Sequence, residues 1–439
     1  MSRWCAVLGF GLKVVVSPVA GAEELPIDGI AEVPPAGLVE AASGKRSALF
    51  FSQKQIGRSV VPFVGFFVGA NGLALCPLEI LCGKGVPSFQ LTRDGRSVLK
   101  NPVMLGVFPE ENLALLKFDY KPERFLKISG SETGVGTWVT AVPSGFADVE
   151  PVAGPIVAHR VVSNVSKLKP PHEAAKQFSV AAGRNPKFER VFLPGAPLVD
   201  ERGEVVAVFA GSQALPGQTL RMACPVSVLA KKIEGMVLKG ERRELPVAVS
   251  ELPLDPAAFS DEYMMMNASM VGGDHVKAGE YAERLVAKYP DSGLAATGAF
   301  GVLQAGVMSG RGGGDELVAH AKKSKVREGA GTLEQAAYYE RLGQALLATG
   351  KETEAFEALR RADELDPEVM ACTTLAAIYE QRGKLEEAER CWRTATMVDA
   401  ERIEYWDRLA SVLLARDKGA EAEAVRRRAD KLQDLYRMR

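Results

Sequence analysis

The feature that most constrains how this chain can fold is a change of hydrophobic period near its middle. Before about residue 240, short runs rich in β-branched and aromatic residues are separated by turn signals such as Asn71-Gly72 and Asp94-Gly95. After about Phe259, apolar residues recur at helical spacing. Many short strands without alternating helices favour an antiparallel sandwich or barrel, so the 439 residues are predicted to form an all-β domain followed by an all-α domain. The predicted strands are Val60–Val68, Leu113–Phe118, Trp138–Val142, Ile156–Val162, Val205–Phe209 and Leu220–Cys224, and a helix is predicted at Val226–Leu238.

Composition divides the chain further. The stretch 241–257 is charged at its start and contains Pro246, Pro253 and Pro256, which is typical of a semi-extended linker. The predicted organisation is a signal peptide at 1–22, an N-terminal linker at 23–45, a β domain at 46–240, a linker at 241–257 and a helical domain at 258–439.

The first residues have the features of an export signal. Arg3 precedes the apolar stretch Trp4–Val19, and Ala20-Gly21-Ala22 offers small residues for cleavage. We therefore expect a periplasmic or secreted protein. No later stretch approaches the ~20 apolar residues that span a bilayer, so no membrane span is expected. The formal net charge of −1 gives no field toward nucleic acid, and no nucleic-acid partner is expected.

A repeat of 33 residues organises the helical half. Small residues recur where paired helices would approach closely, and large residues recur in the gaps between them. Gly350, Ala355, Leu359, Ala362 and Pro367 are matched by Gly383, Ala388, Trp392, Ala395 and Ala400. This pattern resembles the tetratricopeptide repeat, whose stacked helix pairs form a concave surface for a protein or peptide partner. The repeat register predicts that this groove is lined by Glu340, Gln344, Thr373, Ala377, Asp407 and Ser411.

The β half resembles the trypsin-like serine proteases of the bacterial heat-shock (Deg) type. Residues 64–75 resemble the strand, turn and strand that lead to the catalytic histidine of that family. Residues 112–117, Asn-Leu-Ala-Leu-Leu-Lys, resemble the strand that opens with the catalytic aspartate. Residues 195–206 resemble the segment around the nucleophilic serine, and residues 135–142 resemble a further strand of the family. The resemblance implies a trypsin-like double β-barrel.

The same alignment implies that all three catalytic positions are substituted. Glu79 stands at the histidine position, and a glutamate with an ordinary pKa is too weak a base to take a serine proton near neutral pH. Asn112 stands at the aspartate position and supplies no charge to stabilise an imidazolium. Pro194 stands at the serine position, where it removes both the hydroxyl and one N–H donor of the oxyanion hole. We therefore predict a pseudoprotease that binds a protein or peptide partner and acts as a scaffold.

The alternative to a non-catalytic protein is an enzyme that uses a cysteine as its nucleophile. Cys76 and Cys82 flank the former histidine position, and either would be the nucleophile of a hydrolase with relocated chemistry. A structural role is the competing interpretation: buried thiols, or a disulfide in which Cys224 is a further possible partner. With four histidines and no Cys-x-x-Cys pair, neither a metal nor a cofactor is expected. No oligomeric state is predicted.

Overall fold

The computed structural model describes residues 29–31, 33–56, 59–81, 87–91, 97–100, 102–143, 151–162, 175–181, 193–215, 218–245, 255–271, 273–310, 312–323, 332–365 and 371–437. These residues divide into two compact units: the β unit comprises the residues up to Phe259 together with the C-terminal residues from Leu432, and the helical unit comprises Ser260–Lys431. The predicted signal peptide lies outside the described residues.

The β unit consists of two antiparallel sheets. Its strands are β1 Leu49–Ile56, β2 Ser59–Phe67, β3 Leu73–Pro77, β4 Ser88–Leu91, β5 Val98–Leu99, β6 Val103–Phe108, β7 Leu113–Lys117, β8 Trp138–Ala141, β9 Val152–Val162, β10 Ala175–Val180, β11 Pro197–Val199, β12 Val205–Leu215, β13 Gln218–Pro225 and β14 Arg243–Glu244. The first sheet has the order β14-β6-β7-β3-β2-β1-β4-β5, and the second is a closed barrel in the order β10-β13-β12-β11-β8-β9. The predicted all-β architecture is confirmed, with one closed barrel and a second sheet among the described residues.

Two apolar cores account for this arrangement. One lies inside the closed barrel and includes Ile156, Phe178 and Leu198. The other is shared by both sheets, because Val64 and Leu115 of the first sheet cluster with Val199, Val205 and Val208 of the second. Inward-facing side chains of both sheets therefore form this second core together.

Two segments predicted as linkers contain structure. Helix α1, Leu38–Ala42, lies within 23–45, and both of its terminal side chains are fully buried. The indole of Trp138 donates a hydrogen bond to the carbonyl of Ala31 at 3.2 Å. In the second segment, β14 pairs with β6 in the register Arg243↔Met104. The buried side chains at the two ends of α1 are four residues apart, so they lie on one helix face that can pack against the β unit. The edge of β6 offers backbone groups with which β14 pairs.

The helical unit consists of helix pairs. Helix α2, Leu229–Lys239, belongs to the β unit. The helices that follow are α3 Asp261–Val271, α4 His275–Lys288, α5 Gly293–Met308, α6 Gly314–Lys323, α7 Thr332–Ala348, α8 Glu352–Leu365, α9 Ala371–Gln381, α10 Leu385–Val398, α11 Ile403–Ala415 and α12 Gly419–Arg437. No helix in the described part of the chain is both long and apolar enough to cross a bilayer.

The repeat positions explain how the helices of one pair approach each other. Gly343 of α7 faces α8, and a Cβ atom there would lie 2.6 Å from Leu359 and 3.2 Å from the carbonyl oxygen of Ala355. A side chain at position 343 would therefore push the two helices apart. The small residues of the repeat set the distance between its helices, and the predicted all-α second half is confirmed.

Candidate functional site

The backbone brings together segments from three of the motifs that resemble the protease family. Glu79 lies in the short 3-10 helix Leu78–Ile80, directly after β3. Asn112 lies in the turn before β7, with φ at 54°, and its carbonyl accepts a hydrogen bond from the N–H of Leu78 at 2.9 Å. The side chain of Glu79 lies outside the described part of the chain.

The loop with Pro194 is fixed against the first sheet. The carbonyl of Pro194 accepts a hydrogen bond from the N–H of Val64 at 2.9 Å. Gly195 follows with φ at 91°, and a Cβ atom there would lie 2.0 Å from the carbonyl oxygen of Val64 and 2.6 Å from the ring of Pro77. Its N–H donates to the carbonyl of Phe209 at 2.8 Å. Pro194 itself has no N–H, so its backbone nitrogen presents no donor to a substrate oxygen, and Phe192, two residues before it, lies outside the described residues.

Asn112 and Pro194 line one small cavity. Its volume is about 10 Å³, which is on the order of a single water molecule. The remaining walls of the cavity are formed by Pro77, Glu111, Leu113, Gly195, Val208, Phe209 and Ala210.

Glu111 is a buried acid in this cavity that sequence reasoning missed. The residue is 8% exposed, and one carboxylate oxygen lies 3.3 Å from the ammonium of Lys232. The other oxygen, Oε2, is buried without a hydrogen-bond partner among the described residues. Burial raises the pKa of Glu111, although Lys232 opposes the shift. Adjacent acids in a turn normally indicate a solvated surface, so the sequence carried no signal for this side chain.

The candidate replacement nucleophiles are only partly described. Cys76 lies on β3 and is 0% exposed, and Cys224 on β13 is 4% exposed; both are thiols. Cys82 lies outside the described residues. A thiol sealed in the core is poorly placed to reach a substrate or to ionise.

The predicted groove residues differ in accessibility. They occupy equivalent positions on α7, α9 and α11, spaced by 33 and 34 residues. Asp407 and Ser411 are exposed, Gln344, Thr373 and Ala377 are half-buried, and Glu340 is only 8% exposed. The amide of Gln344 donates to the carboxylate of Glu340 at 3.1 Å. Glu340 is therefore less accessible than predicted, because its carboxylate is bound within its own helix and largely covered.

The most exposed end of this row is acidic. Partial desolvation and the nearby carboxylate of Asp430 raise the pKa of Asp407, and Arg426 opposes that shift. The hydroxyl of Ser411 donates to the carbonyl of Asp407 at 2.9 Å. Within the described ranges, no group of three or more His, Cys, Asp and Glu side chains is arranged to hold a metal ion.

A family model matches one part of the helical half. Residues 336–369 match the tetratricopeptide repeat family. Among solved structures, the active form of the Rv3671c protease from M. tuberculosis is similar at 16% identity, with 50% of this chain and 93% of that chain covered and a TM-score of 0.38. The inactive form of a serine-to-alanine mutant of Rv3671c, from strain H37Rv, is similar at 14% identity, with 48% and 96% covered and a TM-score of 0.36.

The structure of MamA is similar at 17% identity, with 39% of this chain and 95% of that chain covered and a TM-score of 0.31. A comparison with curated proteins gives no match. The sheet topology and the repeat match together describe an antiparallel β unit with a closed barrel, followed by a helical unit that contains a tetratricopeptide repeat.

Proposed function

We propose that this protein is an exported, non-catalytic member of the trypsin-like fold that binds a peptide or protein partner, with its repeats as the main interaction surface. The observation that carries the proposal is the cavity beside Asn112 and Pro194. It has a volume of about 10 Å³, and the proline at position 194 supplies neither a hydroxyl nucleophile nor an N–H donor.

The chemistry of acyl transfer supports this proposal. The reaction needs a nucleophile, a base and donors aimed at the developing oxyanion, and loss of any one triad member costs several orders of magnitude in rate. Glu79, Asn112 and Pro194 would each remove one of these groups. Glu111 is the one buried acid of the cavity, and no described nucleophile shares that cavity with it.

The repeats supply a surface of the right kind. Rows of equivalent side chains on stacked helices form the extended contact surfaces that repeat proteins use. Asp407, Ser411, Thr373 and Ala377 present accessible polar and small side chains along that row. The alternative enzyme using Cys76 is disfavoured by the complete burial of that thiol.

Turnover of casein by the purified full chain tests the catalytic part of the proposal. We expect no cleavage, and no labelling by fluorophosphonate or by an iodoacetamide-based activity probe in the native state. Cleavage that survives stringent repurification, and that disappears when Cys76 or Cys82 is changed to serine, would instead establish the relocated enzyme. Cell fractionation of the full chain and of a chain that lacks residues 2–22 tests export, and equal partition of the two would contradict it.

A further inference from the structure

The helical unit contains an apolar slot between α6 and α8. It has a volume of about 430 Å³, which lies in the range of sites that accommodate ligands. Side chains of α7 form its floor, and charged side chains of α6 and α8 stand on opposite rims. The floor is formed by Tyr339, Leu342 and Leu346, one rim by Lys322, and the other by Glu354 and Glu357.

The same place is covered in the next two repeats. Tyr339 and Leu342 are only half-buried. Their counterparts 33 and 67 residues further along the chain pack fully against the preceding helix pair. Cys372, Trp406, Leu375 and Leu409 are each 0–2% exposed. The slot is therefore a local gap in an otherwise close-packed stack, at residues whose repeat positions are normally buried.

In the later repeats, ion pairs connect the second helix of one repeat to the second helix of the next. Arg390, the counterpart of Glu357, lies 2.8 Å from Asp363 of α8. Glu421, the counterpart of Glu354, pairs with Arg393 of α10. Between α6 and α8 an ion pair lies at one end, where Asp315 of α6 is 3.6 Å from Lys351, the residue that precedes α8. Lys322 faces acids across the slot without closing it.

We propose that this slot is a docking site for a short amphipathic helical segment of a partner protein. The segment would insert one or two bulky apolar side chains over Leu342 and place a lysine or arginine beside Glu354 and Glu357. The argument rests on charge complementarity: Glu354 and Glu357 line one rim, where Glu357 also pairs with Arg360 of its own exposed helix face at 3.2 Å, and Lys322 stands on the other rim. The slot residues differ from the predicted groove residues, so this site goes beyond the function proposed above.

A designed peptide tests the site with the full chain. The probe is a fluorescein-labelled amphipathic helical peptide with two leucines one turn apart, lysines on one flank and a glutamate on the other. We expect saturable binding by fluorescence anisotropy. The double change Glu354→Lys and Glu357→Lys should weaken binding at least tenfold, and Lys322→Glu should also weaken it, because it places a like charge against the glutamate of the probe. Thr353→Trp, on the exposed rim of the slot, should also weaken binding tenfold by filling the space.

Matched controls separate this site from the groove and from misfolding. Glu387→Lys changes the counterpart of Glu354 in the next repeat and should leave the peptide affinity unchanged. Asp407→Arg tests the groove and should also leave it unchanged, so failure of the groove proposal and failure of the slot proposal are distinguishable. Absence of peptide binding at millimolar concentration, or equal affinity for the wild type and the folded double variant, would overturn the slot.

Discussion

Replacing Glu389 with glutamine should destabilise the helical unit more than the same change at an exposed acid. Glu389 lies on α10 and is 5% exposed. Its carboxylate accepts hydrogen bonds from Arg393 at 2.9 Å, from Lys418 at 2.9 Å and from Arg416 at 2.5 Å. Because Arg416 and Lys418 belong to the turn between α11 and α12, this one carboxylate connects two consecutive helix pairs.

The magnitude follows from burial and from the number of cations. Removing one partner of a fully buried ion pair costs about 3–5 kcal/mol. The cationic side chains here are 25–38% exposed, so water relieves part of that cost. We therefore expect Glu389→Gln to lower the free energy of unfolding by about 2–3 kcal/mol. For a unit of this size that corresponds to a decrease in Tm of about 4–12 °C.

Thermal unfolding followed by far-ultraviolet circular dichroism measures this effect, because the helical unit dominates that signal. The matched control is Glu423→Gln on α12, whose side chain is 73% exposed and pairs with Arg427 at 3.1 Å. That control should change stability by less than about 0.5 kcal/mol. Equal Tm values for the two variants would refute the reasoning that the network around Glu389 holds the last repeats together.

Three further predictions concern Glu389, Gly195 and Glu111. Hydrogen bonds from Lys418 and Arg393 lower the pKa of Glu389 despite its burial. The stability that the charged carboxylate contributes should therefore be lost as pH falls below about 4.5. A pH series of unfolding free energies should show a smaller acid-induced loss of stability in Glu389→Gln than in the wild type. Gly195→Ala should destabilise the β unit by more than about 2 kcal/mol in urea titration, because its Cβ would contact the carbonyl of Val64, whereas Gly211→Ala meets no atom within 4 Å and should be mild. Burial raises the pKa of Glu111, so stability should fall as pH rises above its ordinary value of about 4.5, and Glu111→Gln should flatten that dependence; a steeper slope in the variant would contradict it.

The sequence predicted those parts of the fold that depend on periodicity. Strands β7 and β8 and helix α2 begin and end within about three residues of their predicted bounds. The 33-residue shift of the repeat also predicts which side chains of successive helices are equivalent. Short elements escaped prediction: α1 has five residues, too few for a helical period to emerge.

The site was less accessible to sequence reasoning, for physical reasons. The catalytic groups that Asn112 and Pro194 lack can be predicted from the sequence, because the chemistry of a side chain follows from its residue type. Burial of Glu111 beside them depends on how a turn packs against helix α2, and Glu340 is covered although its repeat position predicts exposure. The slot over Leu342 depends on the spacing of two helices that are not adjacent in sequence. Such distances arise from packing, which no local pattern encodes.

Photo-crosslinking tests the central claim most directly. A benzoylphenylalanine is placed in the full chain at Ala377, on the repeat groove, or at Ala210, on the rim of the small cavity. The protein is expressed in its native host, irradiated and analysed by intact mass spectrometry. We predict adducts of an intact partner protein at Ala377 and none at Ala210. Adducts confined to Ala210, or adducts whose mass shows a cleaved partner, would contradict a non-catalytic protein that works through its repeats.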